Sequence, residues 1–239
     1  MKNKLIVGLV VADDNEYADY EDIVACKAKD DSFFGRKAHS YSITKGEREI
    51  IVKSILCGIG TVNATAATMY LVDNKADIIL NYGLSGGISG VSRGEDIVGN
   101  SFIEYDFDLR SCGYGPCEKP DQEYIYSSDD MLTNMLSELG GELKIGNFAS
   151  GDKFVSDSKL REQLKNEFNI NACDMETAAI AYVANLTKTP FASLRRVSDD
   201  AGEDAKNDYR AMNNNPVSDL PKIILKLVDS LFDIERFWM

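Results

Sequence analysis

Acidic and glycine-rich segments follow three of the predicted strands, and they hold the residues best suited to chemistry. Residues 13–16 (Asp-Asp-Asn-Glu), 83–90 and 198–200 (Ser-Asp-Asp) each come directly after an apolar run. In α/β proteins, ligands bind outside the carboxyl ends of the strands, where these segments would meet. Four glycines within residues 83–90 would also let the backbone approach a ligand closely. The convergence of the three segments predicts a ligand site.

Acid–base chemistry in this chain is expected to rest on carboxylates. His39 is the single histidine and lies beside Ser40 and Tyr41, with no nucleophile elbow nearby, so we predict a surface residue. The five cysteines include no Cys-x-x-Cys pair, and no spacing suggests a zinc site, so no metal is predicted. Asp and Glu side chains remain as the candidate proton donors and acceptors.

Composition narrows the class of protein. The 239 residues are 44% hydrophobic and 27% charged, which is typical of a globular chain, and without repeats or linkers they predict one domain over residues 1–239. A net charge of −13 argues against nucleic-acid partners and against anionic membranes. No apolar run is long enough to span a membrane. The odd cysteine count indicates a reducing compartment, the cytoplasm.

Strands and helices alternate along the chain. Buried strands are predicted at 5–11, 50–57, 77–82, 97–103 and 191–197, and helices at 61–74, 156–168, 174–185 (with Asp174 as N-cap) and 216–232. This order predicts a three-layer α/β/α fold around a central, mostly parallel mixed sheet.

Three further segments have less regular patterns. Residues 110–122 form a long loop, of the kind that is usually functional or mobile. Residues 199–215 are predicted as a loop or short helix at the rim of the site. Residues 237–239 (Phe-Trp-Met) are expected either to dock at an interface or to pack in the core.

Six segments occur in an order that resembles the nucleoside phosphorylase/nucleosidase superfamily. They are residues 7–16, 57–60, 83–87, 150–154, 174–179 and 195–199. More narrowly, the chain is similar to bacterial 5′-methylthioadenosine/S-adenosylhomocysteine nucleosidases, from about Lys4 to about Leu231. The specific part is Met175-Glu176 at a helix start combined with a downstream Arg-x-x-Ser-Asp motif.

The resemblance implies hydrolysis of the N-glycosidic bond of a 5′-substituted adenosine. Asp199, held by Ser198, matches the acid that protonates the purine, which otherwise leaves poorly. Glu16 matches the residue that activates water to attack the oxocarbenium-like carbon from the other face. Glu176 matches the carboxylate that accepts from the ribose hydroxyls, and Met175 packs on the sugar.

Other positions follow from the same resemblance. Arg195 would lie near the water and the ribose, Phe154 would stack on adenine, and the Val155 backbone would read the base edge. The resemblance implies a homodimer that needs no cofactor, with residues 110–122 at the subunit boundary. Tyr114 keeps the pattern of that boundary loop and is a predicted substrate contact.

Two departures from the family pattern leave alternatives open. Leu84 replaces a small hydroxyl residue that helps phosphorylases bind phosphate, and leucine cannot donate a hydrogen bond. Cys112 replaces an aromatic residue that contacts the 5′ substituent, so the preference among 5′ groups stays open. The alternatives are a purine or uridine nucleoside phosphorylase and a non-catalytic nucleoside-binding protein.

Overall fold

A single mixed sheet forms the centre of the computed structural model, which describes residues 2–214 and 219–239. Its central strands are near-continuous apolar runs, as expected where helices cover both faces. Within the described residues the strands are β1 (Lys4–Val11), β2 (Lys29–Phe33), β3 (Arg36–Lys45), β4 (Arg48–Leu56), β5 (Ile78–Gly87), β6 (Asp96–Glu104), β7 (Ile125–Ser127), β8 (Lys144–Ser150), β9 (Ala172–Asp174) and β10 (Phe191–Asp199).

One part of the sheet closes on itself. The strand order is β10-β6-β8-β9-β5-β1-β4-β3-β2, and β10 also pairs with β5. Strands β5, β9, β8, β6 and β10 therefore form a ring, and β1, β4, β3 and β2 extend from it. Because β10, β5, β1 and β4 pair in parallel with one another in that order, their carboxyl ends lie along one edge.

Helices pack on both faces of this sheet. Leu9 of β1 belongs to a core shared with α1, α3 and α7, while the next residue, Val10, belongs to a core shared with α2 and α5. This alternation is the two-residue period of a strand, and it confirms the predicted α/β class. The helices are α1 (Asp14–Val24), α2 (Thr61–Asp73), α3 (Asp130–Leu139), α4 (Ser158–Phe168), α5 (Thr177–Thr187), α6 (Ala205–Asn213) and α7 (Asp219–Ser230).

Two predicted loop starts are instead the ends of longer strands. The glycine segment was expected to leave the sheet after Tyr82, but β5 continues through Gly87. Likewise β10 continues through Asp199. Backbone pairing overrides the weak strand propensity of glycine here, since Gly86 pairs with both Asp199 and Cys173 on the flanking strands.

The predicted helix at 174–185 begins later than expected. Asp174 ends β9, and α5 starts at Thr177 with Glu176 as its N-cap residue. Asp174 still satisfies the free end of the helix, because its Oδ1 accepts from the backbone N–H groups of Glu176 and Thr177. Of the predicted 216–232 helix, residues 216–218 lie outside the described residues and α7 covers Asp219–Ser230.

The prediction that His39 is a surface residue is wrong. His39 lies in β3, is buried, and its Nδ1 is 2.8 Å from the hydroxyl of Tyr17 on α1. The sequences of β2 and β3 are polar and gave no strand signal, yet the two strands pair in antiparallel and β3 contacts α1 through His39. At the other end of the chain, Phe237 and Trp238 pack in the core, whereas Met239 is exposed.

Among residues 2–214 and 219–239, no helix combines the length and the apolar character that crossing a membrane requires.

Candidate active site

A cavity of about 350 Å³ opens at the shared carboxyl edge of β10, β5 and β1. The closed ring of strands explains its position, since β5, β9 and β10 bring their last residues to the same place. Most of the predicted site residues line it. The lining residues are Ala12, Asp13, Glu16, Ile59, Leu84, Ser85, Gly86, Lys153, Phe154, Val155, Cys173, Asp174, Met175, Glu176, Ser198, Asp199 and Tyr209.

Glu16 reaches into the cavity from the first turn of α1. Asp13 caps this helix by accepting from the Asn15 N–H at 2.9 Å, which sets the direction of the turn that carries Glu16. Glu16 Oε1 accepts from the Leu84 N–H at 2.7 Å, while Oε2 is buried without a hydrogen-bond partner among the described residues. Burial raises the pKa of Glu16 to about 8, against the opposing effect of Arg195. This carboxyl is therefore able to take up a proton near neutral pH.

Gly83 is the residue that lets Glu16 and Arg195 approach β5. A Cβ at this position would lie 2.5 Å from Arg195 Nη1 and 2.8 Å from Glu16 Oε2. Both contacts are far shorter than van der Waals distance, so any side chain at position 83 would displace one of the two groups. Gly83 therefore provides the space that the side chains of Glu16 and Arg195 occupy.

Arg195 is a buried guanidinium held between carboxylates. Its Nε lies 3.2 Å from Asp174 Oδ2, and its Nη2 lies 3.7 Å from Glu176 Oε2. Its Nη2 also donates to Thr177 Oγ1 at 2.7 Å, and its Nη1 donates to the Leu84 carbonyl at 3.2 Å. A buried charge persists only when it is paired in this way. Arg195 does not line the cavity itself but lies behind its wall, where its charge affects Glu16 and Glu176.

Glu176 lies where the loop after β4 meets the start of α5. Its Oε1 accepts from the Gly60 N–H at 2.9 Å, and Oε2 faces Arg195. Burial and the neighbouring Asp174 raise the pKa of Glu176, while Arg195 opposes this. Met175 lines the cavity next to it. The pair offers a hydrogen-bond acceptor beside an apolar surface.

Asp199 ends β10 with its carboxyl group inside the cavity. Ser198 Oγ donates to Oδ2 at 2.6 Å, and the Ala201 N–H donates to Oδ1 at 2.8 Å. Both bonds favour the ionised form, but burial is the larger effect and raises the pKa of Asp199. Gly86 makes room for it, because a Cβ there would lie 3.1 Å from Asp199 Oδ1.

Two aromatic side chains, Phe154 and Tyr209, line the cavity. The ring of Phe154 lies edge-on to the ring of Tyr209 on α6, with centroids 5.6 Å apart. Val155, next to Phe154 in the chain, is buried and also lines the cavity. Apolar side chains of this kind are typical of walls that hold a planar heterocycle.

Tyr114 does not line the cavity of its own chain. It follows the short 3-10 helix Arg110–Cys112 and is partly exposed. The loop is anchored by Lys119, whose Nζ lies 2.7 Å from Glu104 Oε1.

Several residues that line the cavity were not predicted from the sequence. Asp13, Ile59, Cys173 and Tyr209 all line the cavity. Asp13 belongs to one of the three segments that follow predicted strands, so its place in the sequence indicated that it could lie at the site. Tyr209 lies in the polar stretch after β10, and nothing in its spacing indicates that α6 turns it inward.

Comparison with known proteins identifies the class. A family model described as the phosphorylase superfamily matches residues 6–229, and the chain belongs to this family.

Individual relatives are more specific. The chain is 34% identical over 194 residues to the 5′-methylthioadenosine/S-adenosylhomocysteine nucleosidase of Halalkalibacterium halodurans, covering 78% of this chain and 83% of the relative. It is 30% identical over 179 residues to the aminodeoxyfutalosine nucleosidase of Campylobacter jejuni, covering 72% and 78%. A crystal structure of the Helicobacter pylori 5′-methylthioadenosine/S-adenosyl homocysteine nucleosidase has the same fold, with a TM-score of 0.87 at 23% identity over 96% of this chain and 100% of that one.

Replacing Glu16 with glutamine tests the effect of burial on its carboxyl group. Its pKa of about 8 lies above the ordinary value of 4.5, so between these pH values the folded protein binds more protons than the unfolded chain. Stability of the wild type therefore falls as pH rises through this window. We expect Glu16→Gln to melt with the wild type below pH 4.5 and at a higher temperature above pH 8. The gain is about 2–4 °C for each 1 kcal/mol.

Thermal unfolding followed by circular dichroism at both pH values measures this difference. Asp14→Asn, two residues away in the same turn of α1 and exposed, is the matched control and should show no pH-dependent gain. A difference in melting temperature between Glu16→Gln and the wild type that is the same at both pH values would contradict the raised pKa of Glu16.

Proposed function

We propose that this chain hydrolyses the N-glycosidic bond of 5′-substituted adenosines to adenine and the ribose derivative. The observation that carries the proposal is one cavity lined by two carboxyl groups, Glu16 and Asp199, whose pKa values burial raises. The relatives that are at least 30% identical are nucleosidases by name. Their names cover methylthio, homocysteinyl and aminodeoxyfutalosine nucleosides, which share a purine nucleoside core.

Asp199 is the proposed general acid. Burial raises its pKa and so favours the protonated form more than in an exposed aspartate, and Phe154 in the same cavity would hold the purine. Protonation of the purine at N7 makes the base a better leaving group as the C–N bond breaks. Ser198 holds the carboxyl group in position through its 2.6 Å hydrogen bond. The backbone of Val155 would read the edge of the base.

Glu16 is the proposed general base. A water between Glu16 and the anomeric carbon would give its proton to the buried Oε2, which has no other partner in the described chain. With a pKa of about 8, only the ionised fraction of Glu16 acts as the base, and this fraction grows as pH rises through about 8. The ionised form is a stronger proton acceptor than an exposed glutamate. The oxygen of that water forms the new C–O bond as the electrons of the C–N bond leave with the protonated purine.

Glu176 and Met175 are the proposed sugar contacts. A carboxylate accepts from two vicinal hydroxyl groups at once, and Glu176 lines the cavity with its Oε2 3.7 Å from Arg195 Nη2. Its negative charge also stabilises the positive charge that develops on the ribose ring. Arg195 keeps this carboxylate in place and limits the rise of its pKa.

The part of the cavity wall next to Glu16 favours water over phosphate as the nucleophile. Leu84 lines the cavity there and has no side-chain donor for a phosphate oxygen, and its own N–H already donates to Glu16. The carboxylate of Glu16 would also repel an anion at this place. A purine or uridine phosphorylase is therefore the weaker candidate.

Adenine release in phosphate-free buffer tests the proposal. We expect free adenine from 5′-methylthioadenosine, S-adenosylhomocysteine or 5′-deoxyadenosine at a rate that added phosphate does not change. Asp199→Asn should lower kcat by about 10²- to 10⁴-fold, because the general acid is lost while the shape of the cavity is kept. High-performance liquid chromatography of the released base is the measurement.

Asp204→Asn, an exposed change near the start of α6, is the matched control and should keep wild-type activity. Sugar 1-phosphate formed only with phosphate present would establish the phosphorylase instead. Binding of adenine nucleosides without release of adenine would establish the non-catalytic alternative.

We also propose that the chain forms a homodimer. Two exposed apolar side chains on neighbouring elements support an interface: Phe34 (86% exposed), after β2, and Val62 (76% exposed), at the start of α2. The two elements are in contact, since Arg36 Nη2 donates to Asn63 Oδ1 at 3.3 Å. Exposed apolar groups of this size mark association surfaces when they cluster. Tyr114 lies outside the cavity of its own chain, so in a dimer it would be free to contact the site of the other subunit.

Light scattering after size-exclusion chromatography tests the dimer. We expect twice the 26.4 kDa chain mass for the wild type and a shift toward the monomer for Val62→Asp, because a buried interface would then contain an unpaired charge. Met239→Asp is the control, since Met239 is equally exposed at the opposite, amino-terminal edge of β1. A wild type that is monomeric at every concentration would contradict the proposal.

A reducing compartment, the cytoplasm, is the proposed location. All five cysteines lie in the described part of the chain and are unpaired, and Cys26 and Cys112 are exposed. Free exposed thiols persist where glutathione and thioredoxin keep them reduced.

A further inference from the structure

The first turn of α2 is capped by a side chain from a distant loop. Gly60 is the N-cap residue of this helix, and glycine has no side chain to accept from the free N–H groups. Asp152, between β8 and α4, takes that role, because its Oδ1 accepts from the Thr61 N–H at 2.7 Å and its Oδ2 accepts from the Thr61 hydroxyl at 2.6 Å. The partial positive charge at a helix start favours a carboxylate there. Asp152 therefore joins its own loop to the start of α2.

The backbone around Asp152 is fixed by the segment that follows β6. The Asp152 N–H donates to Asp106 Oδ2 at 2.9 Å, and the Tyr105 hydroxyl donates to the carbonyl of Lys153 at 2.9 Å. Gly151 permits this close packing, since a Cβ at that position would lie 2.7 Å from Asp106 Cγ. The carboxyl group that caps α2 is therefore held on a backbone with its own supports.

The start of α2 also holds Glu176. The Gly60 N–H donates to Glu176 Oε1 at 2.9 Å, so Glu176 and Asp152 accept from the N–H groups of two consecutive residues. Gly60 has a φ of +103°, and a Cβ at this position would lie 2.9 Å from Asp152 Oδ1. Gly60 is thus packed close to both carboxylates. A shift of Thr61 would move the N–H group from which Glu176 accepts.

Arg195 attracts the same carboxyl group of Glu176. Glu176 Oε2 lies 3.7 Å from Arg195 Nη2, which is longer than a hydrogen bond. Without the bond from Gly60, the carboxyl group would be free to turn and pair more closely with the buried guanidinium. A carboxylate paired in that way has fewer lone pairs left for the hydroxyl groups of a sugar. The Gly60 N–H therefore keeps Glu176 available to a ligand.

We propose that Asp152 is a positioning residue, which acts through Thr61 and Gly60 to hold Glu176 where it accepts from the ribose hydroxyls. In this way it sets the preference for ribonucleosides over 2′-deoxyribonucleosides. Asp152 does not line the cavity, although the next residue, Lys153, does, so it acts without touching the substrate. The inference rests on the proposed nucleosidase function and adds to it the contacts that determine sugar specificity.

Two nucleosides that differ only at the 2′ position test this role. They are 5′-methylthioadenosine and its 2′-deoxy analogue, and the measured quantity is the ratio of their kcat/KM values in each variant. We expect Asp152→Ala to lower this ratio roughly tenfold or more, because the hydrogen bond between a carboxylate and the 2′ hydroxyl is lost. A change that only loosened the fold would slow both nucleosides alike and leave the ratio where it was.

Thr61→Val keeps the branched shape of the side chain and removes the hydroxyl that donates to Asp152, so the ratio should fall by a smaller factor. Asp157→Ala is the matched control, since Asp157 lies in the same loop, caps α4 by accepting from the Lys159 N–H at 2.9 Å, and does not line the cavity. This control also removes a helix cap, but the ratio should keep its wild-type value. An unchanged ratio in Asp152→Ala, or in Thr61→Val should the alanine variant not fold, overturns the proposal.

Calorimetric binding to Asp199→Asn separates this inference from the proposed function. In that background 5′-methylthioadenosine should bind about tenfold more tightly than its 2′-deoxy analogue, and adding Asp152→Ala should remove most of the difference. With Glu176→Gln also present, Asp152→Ala should change the difference no further, because its effect passes through Glu176. Equal loss of affinity for both nucleosides, or a further change beside Glu176→Gln, overturns the positioning role. Absence of adenine release from every nucleoside, with an affinity difference that depends on Asp152, overturns the nucleosidase function and leaves the positioning role supported.

Discussion

The buried guanidinium of Arg195 is the charge on which the rest of the site depends. Only about 1% of this residue is exposed, and it is held by Asp174 and Glu176, with Glu16 close by. Burial raises the pKa values of Glu16 and Glu176, and Arg195 opposes this rise. The rise persists because one buried cation is shared among three carboxyl groups. In the proposed reaction, the positive charge that forms on the sugar during cleavage would supply a further cation beside these carboxyl groups. Their ionised forms would then stabilise the transition state more than the substrate.

The sheet positions these groups through its closed ring of strands and two glycines. Gly83 lets Glu16 and Arg195 meet at β5, and Gly86 lets Asp199 meet Cys173 between β10 and β9. Neither glycine is needed for an unusual backbone angle. Both are needed because protein side chains occupy the space that a Cβ would take. Residues 83–87, which look like a ligand-binding loop in the sequence, are therefore the end of strand β5, against which protein side chains pack.

Local patterns predicted the parts of this molecule that local physics determines. Apolar runs such as β1 identified the buried strands, and the motifs around Glu176 and Asp199 lie where the cavity is found. Burial of His39 depended on a pairing of two polar strands with α1, which no local pattern records. The inward position of Tyr209 similarly depends on how α6 packs on β10. For Tyr114, one chain alone does not contain the surroundings that would give it a role.

Infrared difference spectroscopy of the ligand-free protein tests the central claim most directly, because a protonated carboxyl group has its own C=O stretching band. Comparing the wild type with Glu16→Gln across neutral pH isolates the band of Glu16. The account predicts a band that is present at neutral pH in the wild type, disappears as pH rises through about 8, and is absent in the variant. Identical spectra of the two proteins at neutral pH would show that Glu16 is already ionised, and would contradict the account.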